Sequence, residues 1–212
     1  MGELPVEAVL VQLTARTWQC LPPKVWDMKR VSVVGSSGSG KTAVARRLAE
    51  ALSIPHVELD ALHWGANWTP ATADELSERV RAATAGEAWV VDGNYWSKIG
   101  PQVWTLADTV VWVSPPRWRT MWQAVTRTVG RAVTRRELWN GNRESWRGLL
   151  FWRGEDSILW WAWTTYASTQ ERYALAREDP QWTHLVFHRL RTRREVERFI
   201  AQASAQSRAT GA

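Results

Sequence analysis

Short apolar runs alternate with longer amphipathic stretches along most of this chain. The runs are rich in valine, which is typical of buried strands, and the longer stretches repeat apolar residues every three or four positions, as helices do. Strands are predicted at residues 31–34, 56–59, 89–91, 109–113 and 185–187. Helices are predicted at residues 41–52, 72–85, 117–133, 155–178 and 193–203. This alternation predicts an α/β fold of three layers, in which a five-stranded parallel sheet is covered by helices on both faces.

The same pattern divides the chain into three parts. Residues 1–28 contain three prolines and a weak apolar pattern, so they are expected to form an N-terminal extension, unless Met28 is the true initiator. Residues 29–203 carry all the predicted strands and helices and form one predicted domain. The small and polar segment 204–212 is predicted to be a flexible tail.

Composition narrows the class of protein. The chain has 212 residues, of which 45% are hydrophobic and 23% charged, as expected of a soluble globular domain. Its single cysteine, Cys20, excludes an intramolecular disulfide framework and a cysteine-rich zinc site. No stretch reaches the ~18 uninterrupted apolar residues of a membrane-spanning helix, and the N-terminus lacks the residue order of a signal peptide. A cytoplasmic protein without a membrane partner is therefore expected.

One motif indicates the chemistry. The segment after the first predicted strand matches the phosphate-binding pattern GxxxxGK[ST] at every defined position, and a predicted helix follows it. The segment consists of Gly35, Ser36, Ser37, Gly38, Ser39, Gly40, Lys41 and Thr42. Its glycines allow successive backbone N–H groups to point at one anion, and the helix adds its positive N-terminus. In such loops the lysine contacts the β- and γ-phosphates and the hydroxyl binds Mg²⁺, so Lys41 and Thr42 are predicted to bind a nucleoside triphosphate and its metal.

Three further motifs carry a resemblance to known proteins. They are Leu59-Asp60-Ala61-Leu62-His63-Trp64, Val90-Val91-Asp92-Gly93-Asn94-Tyr95 and Arg135-Arg136-Glu137-Leu138-Trp139-Asn140-Gly141-Asn142-Arg143-Glu144. With the phosphate-binding loop, they make residues 29–203 resemble the P-loop kinases related to adenylate and shikimate kinase. More narrowly, the chain is similar to bacterial adenylate kinase-related proteins, also called DNA topology modulation proteins. The resemblance implies a P-loop NTPase fold, an acceptor-binding region after the second strand, and a mobile, arginine-rich helical lid at about residues 127–153.

Two aspartates are candidate catalytic and metal-binding residues. Asp60 ends the second predicted strand, at the edge of a parallel sheet where ligands gather. A carboxylate there suits a role in accepting the proton of an acceptor hydroxyl. The Asp92-Gly93 pair resembles the Asp-Gly of adenylate kinases, which implies that Asp92 contributes to the metal site with Thr42. The alternative for both residues is a structural role as a cap or a hydrogen-bond partner.

The residues after Gly93 depart from the adenylate kinase pattern. Adenylate kinases continue with Phe-Pro-Arg, whose arginine binds the phosphate of the acceptor, whereas this chain continues with Asn94-Tyr95-Trp96. A nucleoside monophosphate generally requires bidentate arginine contacts. Arg79 and Arg81 are possible substitutes, and both are equally consistent with a solvent-facing helix. The sequence therefore disfavours adenylate kinase activity.

Basic charge is concentrated in one region. The net charge of the chain is +6, and residues 117–153 alone hold nine arginines and two acidic residues. Within them, Arg127-Thr128-Val129-Gly130-Arg131 is similar to the start of the adenylate kinase lid, and its two arginines share one helical face. This similarity implies that Arg127 and Arg131 stabilise the transferring phosphoryl group, and Arg135 is a further candidate for the same catalytic role. The further candidates are Arg136 and Arg143, with Gly141 as a hinge.

The chain also contains 17 tryptophans. Several alternate with the arginines of the lid, as in surfaces that stack single-stranded nucleic acid. Others lie far from any arginine cluster, so most are predicted to pack in the core or at its boundary. Trp64, Trp68 and Trp96 flank the two aspartates and are expected to lie near the ring of an acceptor.

Together these features predict a kinase that transfers the γ-phosphoryl group of Mg-ATP to a small-molecule hydroxyl or a nucleotide. One alternative is a nucleoside monophosphate kinase that obtains its phosphate-binding arginine elsewhere. A second is a nucleic-acid-binding P-loop ATPase, which the basic lid favours and the lack of an established nucleic-acid-binding motif disfavours. The sequence does not identify the acceptor or the oligomeric state.

Overall fold

A computed structural model describes residues 28–134, 137–142 and 158–210 of the chain. The extension before Met28 lies outside the described residues. So do residues 143–157 of the predicted lid and the three candidates Arg135, Arg136 and Arg143.

Within the described residues, five strands form one sheet in the order β2-β3-β1-β4-β5, and every pairing is parallel. The strands are β1 (Arg30–Gly35), β2 (His56–Glu58), β3 (Trp89–Asp92), β4 (Thr109–Val113) and β5 (Val186–Leu190). The predicted five-stranded parallel sheet is confirmed. Because β1 lies between β3 and β4, the loop that follows it opens at the centre of the carboxyl edge of the sheet, where parallel sheets bind ligands.

Helices cover both faces of this sheet. The helices of the described residues are α1 (Lys41–Leu52), α2 (Leu59–His63), α3 (Ala73–Ala83), α4 (Trp96–Ile99), α5 (Gln102–Leu106), α6 (Arg117–Thr134), α7 (Ile158–Glu178) and α8 (Arg193–Thr210). Short 3-10 turns occur at Ala66–Trp68, Trp139–Gly141 and Pro180–Trp182. A capping box begins α3, since Thr72 and Glu75 exchange hydrogen bonds. None of these helices combines the length and the apolar content needed to cross a membrane.

The core lies on the two faces of the central strands. Every residue of β3 and β4 is buried, which explains the uninterrupted apolar runs 89–91 and 110–113 within them. Alternate side chains enter opposite clusters, so that Trp89 and Val91 join one and Val90 the other. The first cluster is closed by α3, α5 and α7, and the second by α1 and α8. Two packed faces hold the carboxyl edge of the sheet rigid.

Two predicted boundaries were wrong. β2 ends at Glu58, where its partner β3 also ends, so the unpaired chain turns at once into α2. Asp60 therefore lies in the first turn of a short helix and not at the end of a strand. The other error concerns the last helix, predicted to end at residue 203, because α8 runs to Thr210 and includes most of the segment 204–212. That segment is rich in alanine, a strong helix former, and it continues a helix already anchored on the sheet.

Candidate functional site

The phosphate-binding loop joins β1 to α1 and has the backbone shape that its glycines permit. Gly38 and Gly40 have φ values of 81° and 88°, in the left-handed region. A Cβ atom at Gly38 would lie 2.6 Å from the carbonyl oxygen of Thr120, and one at Gly35 would lie 2.4 Å from that of Val113. The glycines at these two positions are therefore required by close backbone packing.

The end of this loop is suited to bind an anion. Gly40 is the N-cap of α1 and provides no side chain to pair with the first N–H groups of the helix, and the first turn holds no acidic residue. The free N–H groups and the helix dipole therefore favour a negative ligand, and Lys41 adds a full positive charge. The hydroxyl oxygen of Ser39 is also buried without a hydrogen-bond partner. A triphosphate would provide acceptors for these groups.

Asp92 lies beside this loop, at the carboxyl end of β3 and paired with Val33 of β1. The carboxyl group is buried, and burial raises its pKa to about 6, while the charge of Lys41 and a hydrogen bond from the Thr42 hydroxyl act in the opposite direction. One carboxylate oxygen, Oδ1, has no hydrogen-bond partner. The structure thus brings together the two residues predicted to bind the metal, and leaves one buried oxygen unused.

Asp60 faces the same region from α2. The hydroxyl of Tyr95 donates a hydrogen bond to its Oδ1 atom at 2.7 Å. Burial and the adjacent Asp60 raise the pKa of Tyr95, so the phenol stays protonated and continues to donate. The negative charge of Asp60 also contributes to the raised pKa of Asp92, so the two carboxylates interact electrostatically.

Two predicted lid arginines lie on α6. A terminal nitrogen (Nη2) of the Arg127 guanidinium lies 3.4 Å from the Ser37 hydroxyl oxygen, so this residue reaches the phosphate-binding loop. The guanidinium of Arg131 lies 6.0 Å from the centre of the Trp139 ring. The third, Arg135, lies outside the described residues.

Sequence reasoning missed the residues that hold the loop in place. The Asn94 side chain accepts a hydrogen bond from the Gly35 N–H at 3.3 Å and donates one to the Gly35 carbonyl. Tyr173 of α7 donates to the same Asn94 oxygen at 2.8 Å. Gln170, one turn earlier, donates to the Ser36 hydroxyl at 3.5 Å. Asn94 belongs to a motif recognised in the sequence, whereas Gln170 and Tyr173 lie on a distant helix and carry no local signal.

The three tryptophans expected near an acceptor separate in the structure. Trp64 and Trp68 lie edge to face, 5.6 Å apart, on the loop that follows Asp60. Trp96 instead packs against Trp104 and Trp182, which belong to the core. Two tryptophans therefore lie on the loop beside Asp60, and Trp96 packs against core residues.

Comparison with known proteins supports the fold. No family model and no curated protein matches this chain. A shikimate kinase from Acinetobacter baumannii, solved in complex with shikimate, is 18% identical with a TM-score of 0.51 over 90% of this chain and 98% of its own. A gluconokinase from Sinorhizobium meliloti is 19% identical with a TM-score of 0.46, over 86% of this chain and 93% of its own. A sugar kinase from a Janibacter species is 16% identical with a TM-score of 0.42, over 85% and 94%.

The likeness to the shikimate kinase and the sheet topology together define a P-loop kinase fold. This confirms the predicted fold class. The narrower resemblance to adenylate kinase-related and DNA topology modulation proteins stays a prediction.

Proposed function

We propose that this protein is a kinase that transfers the γ-phosphoryl group of Mg-ATP to a hydroxyl group of a small molecule. The observation that carries the proposal is the phosphate-binding loop, with the buried Asp92 beside it and Arg127 in contact with Ser37. A loop of this shape binds the phosphates, and the surrounding charges are those that phosphoryl transfer requires.

The cations of the site act on the group being transferred. Negative charge is spread over the oxygens of the γ-phosphoryl group in the transition state, so fixed positive charges lower the barrier. Lys41 is placed at the N-terminus of α1 for this role, and Arg127 approaches from α6. Arg131 and Arg135 are proposed as the remaining cations that stabilise the transferring phosphoryl group.

Thr42 and Asp92 fit a magnesium ion. Mg²⁺ prefers oxygen ligands and usually keeps several waters, so one hydroxyl and one carboxylate beside the phosphates are sufficient protein ligands. The Oδ1 atom of Asp92 is buried without a hydrogen-bond partner. In such a site it would contact the metal ion or one of the waters bound to the metal. When bound, Mg²⁺ neutralises charge on the β- and γ-phosphates.

Asp60 is proposed to activate the acceptor. As the acceptor oxygen bonds to the γ-phosphorus, the bond from phosphorus to the β-phosphate oxygen breaks and ADP leaves. The hydroxyl proton passes to the Asp60 carboxylate, which is held in place by Tyr95. Trp64 and Trp68 lie beside this position and would contact the body of the acceptor.

A nucleoside monophosphate is the less favoured acceptor. Asn94, which stands after the Asp-Gly pair, is occupied in holding Gly35. The two possible substitutes are also engaged, since Arg79 donates to the Leu62 carbonyl at 2.7 Å and Arg81 pairs with Glu78. An acceptor without a phosphate group fits the described residues better.

Mass spectrometry of phosphoryl transfer tests the proposal. Mg-ATP is incubated with a pooled panel of nucleosides, nucleotides, sugars and small alcohols, and with Lys41→Ala as the inactive variant. Lys29→Ala is the matched control, because this exposed lysine precedes β1 at the opposite edge of the sheet. A phosphorylated product that is lost only in Lys41→Ala supports the proposal. ATP binding without any phosphorylated product would contradict it.

A further inference from the structure

The turn at residues 137–142, here called the bridging turn, is hydrogen-bonded to the loop that follows Asp60. Asn142 is 4% exposed and occupies the centre of the contact. Its Oδ1 accepts the Trp68 N–H at 2.8 Å, and its Nδ2 donates to the Gly65 carbonyl at 2.8 Å and to the Trp139 carbonyl at 2.9 Å. Asn142 therefore joins two segments that are more than 70 residues apart in sequence.

Two neighbouring residues strengthen this contact. Asn140 donates to the carbonyl of Trp64, and the Trp139 indole N–H donates to Glu58 Oε2 at 2.9 Å. Glu58 is the last residue of β2, two positions before Asp60. The bridging turn thus contacts both ends of the segment 58–68, which carries the proposed acceptor-activating carboxylate.

The shape of both segments depends on left-handed residues. Asn67 has φ 56° in one turn, and Asn140 has φ 55° in the other. Asparagine tolerates this conformation better than most residues other than glycine, because its short polar side chain can bond locally. The two turns, each with a left-handed asparagine, are hydrogen-bonded to each other through Asn142.

The other side of the bridging turn faces helix α6. The guanidinium of Arg131 on α6 approaches the Trp139 ring, and Arg127, one turn earlier, contacts Ser37 of the phosphate-binding loop. A continuous path of contacts therefore runs from the phosphate-binding loop through α6 and the bridging turn to the loop beside Asp60.

We propose that Asn142 is a positioning residue that couples nucleotide binding to the ordering of residues 61–70. The inference rests on the proposed function, because it takes the phosphate-binding loop as the nucleotide site. Phosphates at that loop hold Arg127 and Arg131, these fix Trp139, and Asn142 passes the constraint to the Trp68 N–H. Nucleotide binding is then expected to reinforce the order of residues 61–70.

Hydrogen–deuterium exchange tests this coupling without knowledge of the acceptor. The probe is the non-hydrolysable nucleotide AMP-PNP with Mg²⁺, added to the full chain, and the variants are Asn142→Ala and Trp139→Ala. Trp139→Ala removes the ring that Arg131 approaches and leaves Asn142 in place, so it reports on the coupling even where Asn142→Ala disturbs folding. Gln202→Ala, an exposed amide on α8, is the matched control.

In the unaltered protein, the probe is expected to slow exchange at residues 35–42 and also at 61–70. In both variants the slowing at 35–42 should persist and the slowing at 61–70 should be lost, while Gln202→Ala behaves as the unaltered protein. Slowing at 61–70 that survives in the variants would overturn the coupling, and so would its absence in the unaltered protein. A merely structural role would raise exchange at 61–70 without changing the effect of the probe. Unchanged exchange at 35–42 would instead reject the proposed nucleotide site and the coupling with it.

Discussion

At the scale of single residues, Asp92 is suited to a metal site but its buried charge destabilises the fold. Its carboxyl group is 4% exposed and has a pKa raised to about 6 by burial. At neutral pH the protein must therefore bury a negative charge that only Lys41 and Thr42 partly compensate. A buried, charged carboxylate of this kind suits a metal site, because an anionic oxygen shielded from water binds a cation strongly.

Asp92→Asn is expected to stabilise the protein at pH 7. A rise of the pKa from 3.8 to about 6 corresponds to about 3 kcal/mol of free energy at neutral pH, which the neutral amide would not cost. Because the raised pKa belongs to the folded state, the folded protein binds the proton more strongly, and its stability falls as pH rises from about 4 to about 6. The gain from the substitution should therefore be largest above pH 6 and vanish below pH 4. Thermal unfolding at several pH values measures it.

Asp74→Asn is the matched control for this series, because Asp74 is exposed in the first turn of α3. It should change the free energy of unfolding by less than about 1 kcal/mol at any pH. Loss of stability in Asp92→Asn at pH 7 would show that hydrogen bonding, and not burial, dominates at this carboxyl group. Phosphoryl transfer by Asp92→Asn should be strongly reduced in spite of the stability gain.

Arg127→Ala is expected to lower kcat by about 10³-fold or more, the smaller end of the range for an arginine that stabilises phosphoryl transfer. Its guanidinium already reaches the phosphate-binding loop through Ser37. Arg127→Lys should recover little, since an ammonium group lacks the planar donor pair that matches phosphate oxygens. Steady-state kinetics with Mg-ATP measures both variants.

Arg208→Ala serves as the control for the loss of one arginine, because Arg208 bonds only to Ser204 within α8 among the contacts described. Its kcat should stay that of the unaltered protein. An unchanged kcat in Arg127→Ala would assign the contact with Ser37 to loop packing alone.

At the scale of secondary-structure elements, two glycines on or beside α6 have opposite environments. A Cβ atom at Gly38 would collide with the Thr120 carbonyl and lie 2.8 Å from the Ala124 Cβ atom, both on α6. At Gly130, within α6 itself, an added Cβ atom meets nothing within 4 Å. The first glycine allows the helix to pack on the phosphate-binding loop, whereas the second only weakens the helix.

Gly130→Ala should therefore stabilise the protein by up to about 1 kcal/mol, the difference between the two residues inside a helix. Gly38→Ala should abolish binding of Mg-ATP and lower the melting temperature, because it adds a collision to a backbone with φ 81°. Thermal unfolding and nucleotide titration separate the two outcomes. If Gly130→Ala raised stability but lowered kcat, the glycine would be needed for bending or movement of α6.

The elements also show what the sequence could predict. The strands, the helix α1 and the phosphate-binding loop between them were predictable, because each has a local signal of apolar runs, periodicity or glycine spacing. The short helices α4 and α5 were not predicted, since four or five residues carry no measurable period. The place of Asp60 was also wrong, because the end of β2 is set by the end of its partner β3 and not by its own residues.

At the scale of the whole molecule, the parts of the site that escaped prediction are its long-range contacts. The bonds from Tyr173 to Asn94 and from Gln170 to Ser36 connect residues 79 and 134 positions apart. Such pairs depend on how α7 crosses the sheet edge, which no local pattern specifies. Sequence motifs therefore identified the candidate groups, whereas the structure was needed to find the residues that hold them in place.

The distribution of basic and aromatic groups over the surface bears on the nucleic-acid alternative. On α6, Trp118 is 72% exposed and Trp122 is 66% exposed, one turn apart on the same face. Arg117 stacks on Trp163 at 3.7 Å and donates to its carbonyl, so this arginine has a structural contact of its own. Arg127 reaches the phosphate-binding loop, so it would have to bind both the DNA and the nucleotide.

Binding of single-stranded DNA is accordingly expected to be weak, sensitive to salt and displaced by Mg-ATP. Fluorescence anisotropy of a labelled oligonucleotide, measured at about 50 and 200 mM salt with and without saturating Mg-ATP, tests this expectation. The double variant Trp118→Ala, Trp122→Ala should leave the affinity unchanged, since no stacking on these rings is expected. Affinity that survives excess Mg-ATP and falls in the double variant would show aromatic stacking on a separate DNA surface. In that case the basic charge of the chain would serve a nucleic-acid-dependent ATPase, and the kinase proposal would fail at the level of the whole molecule.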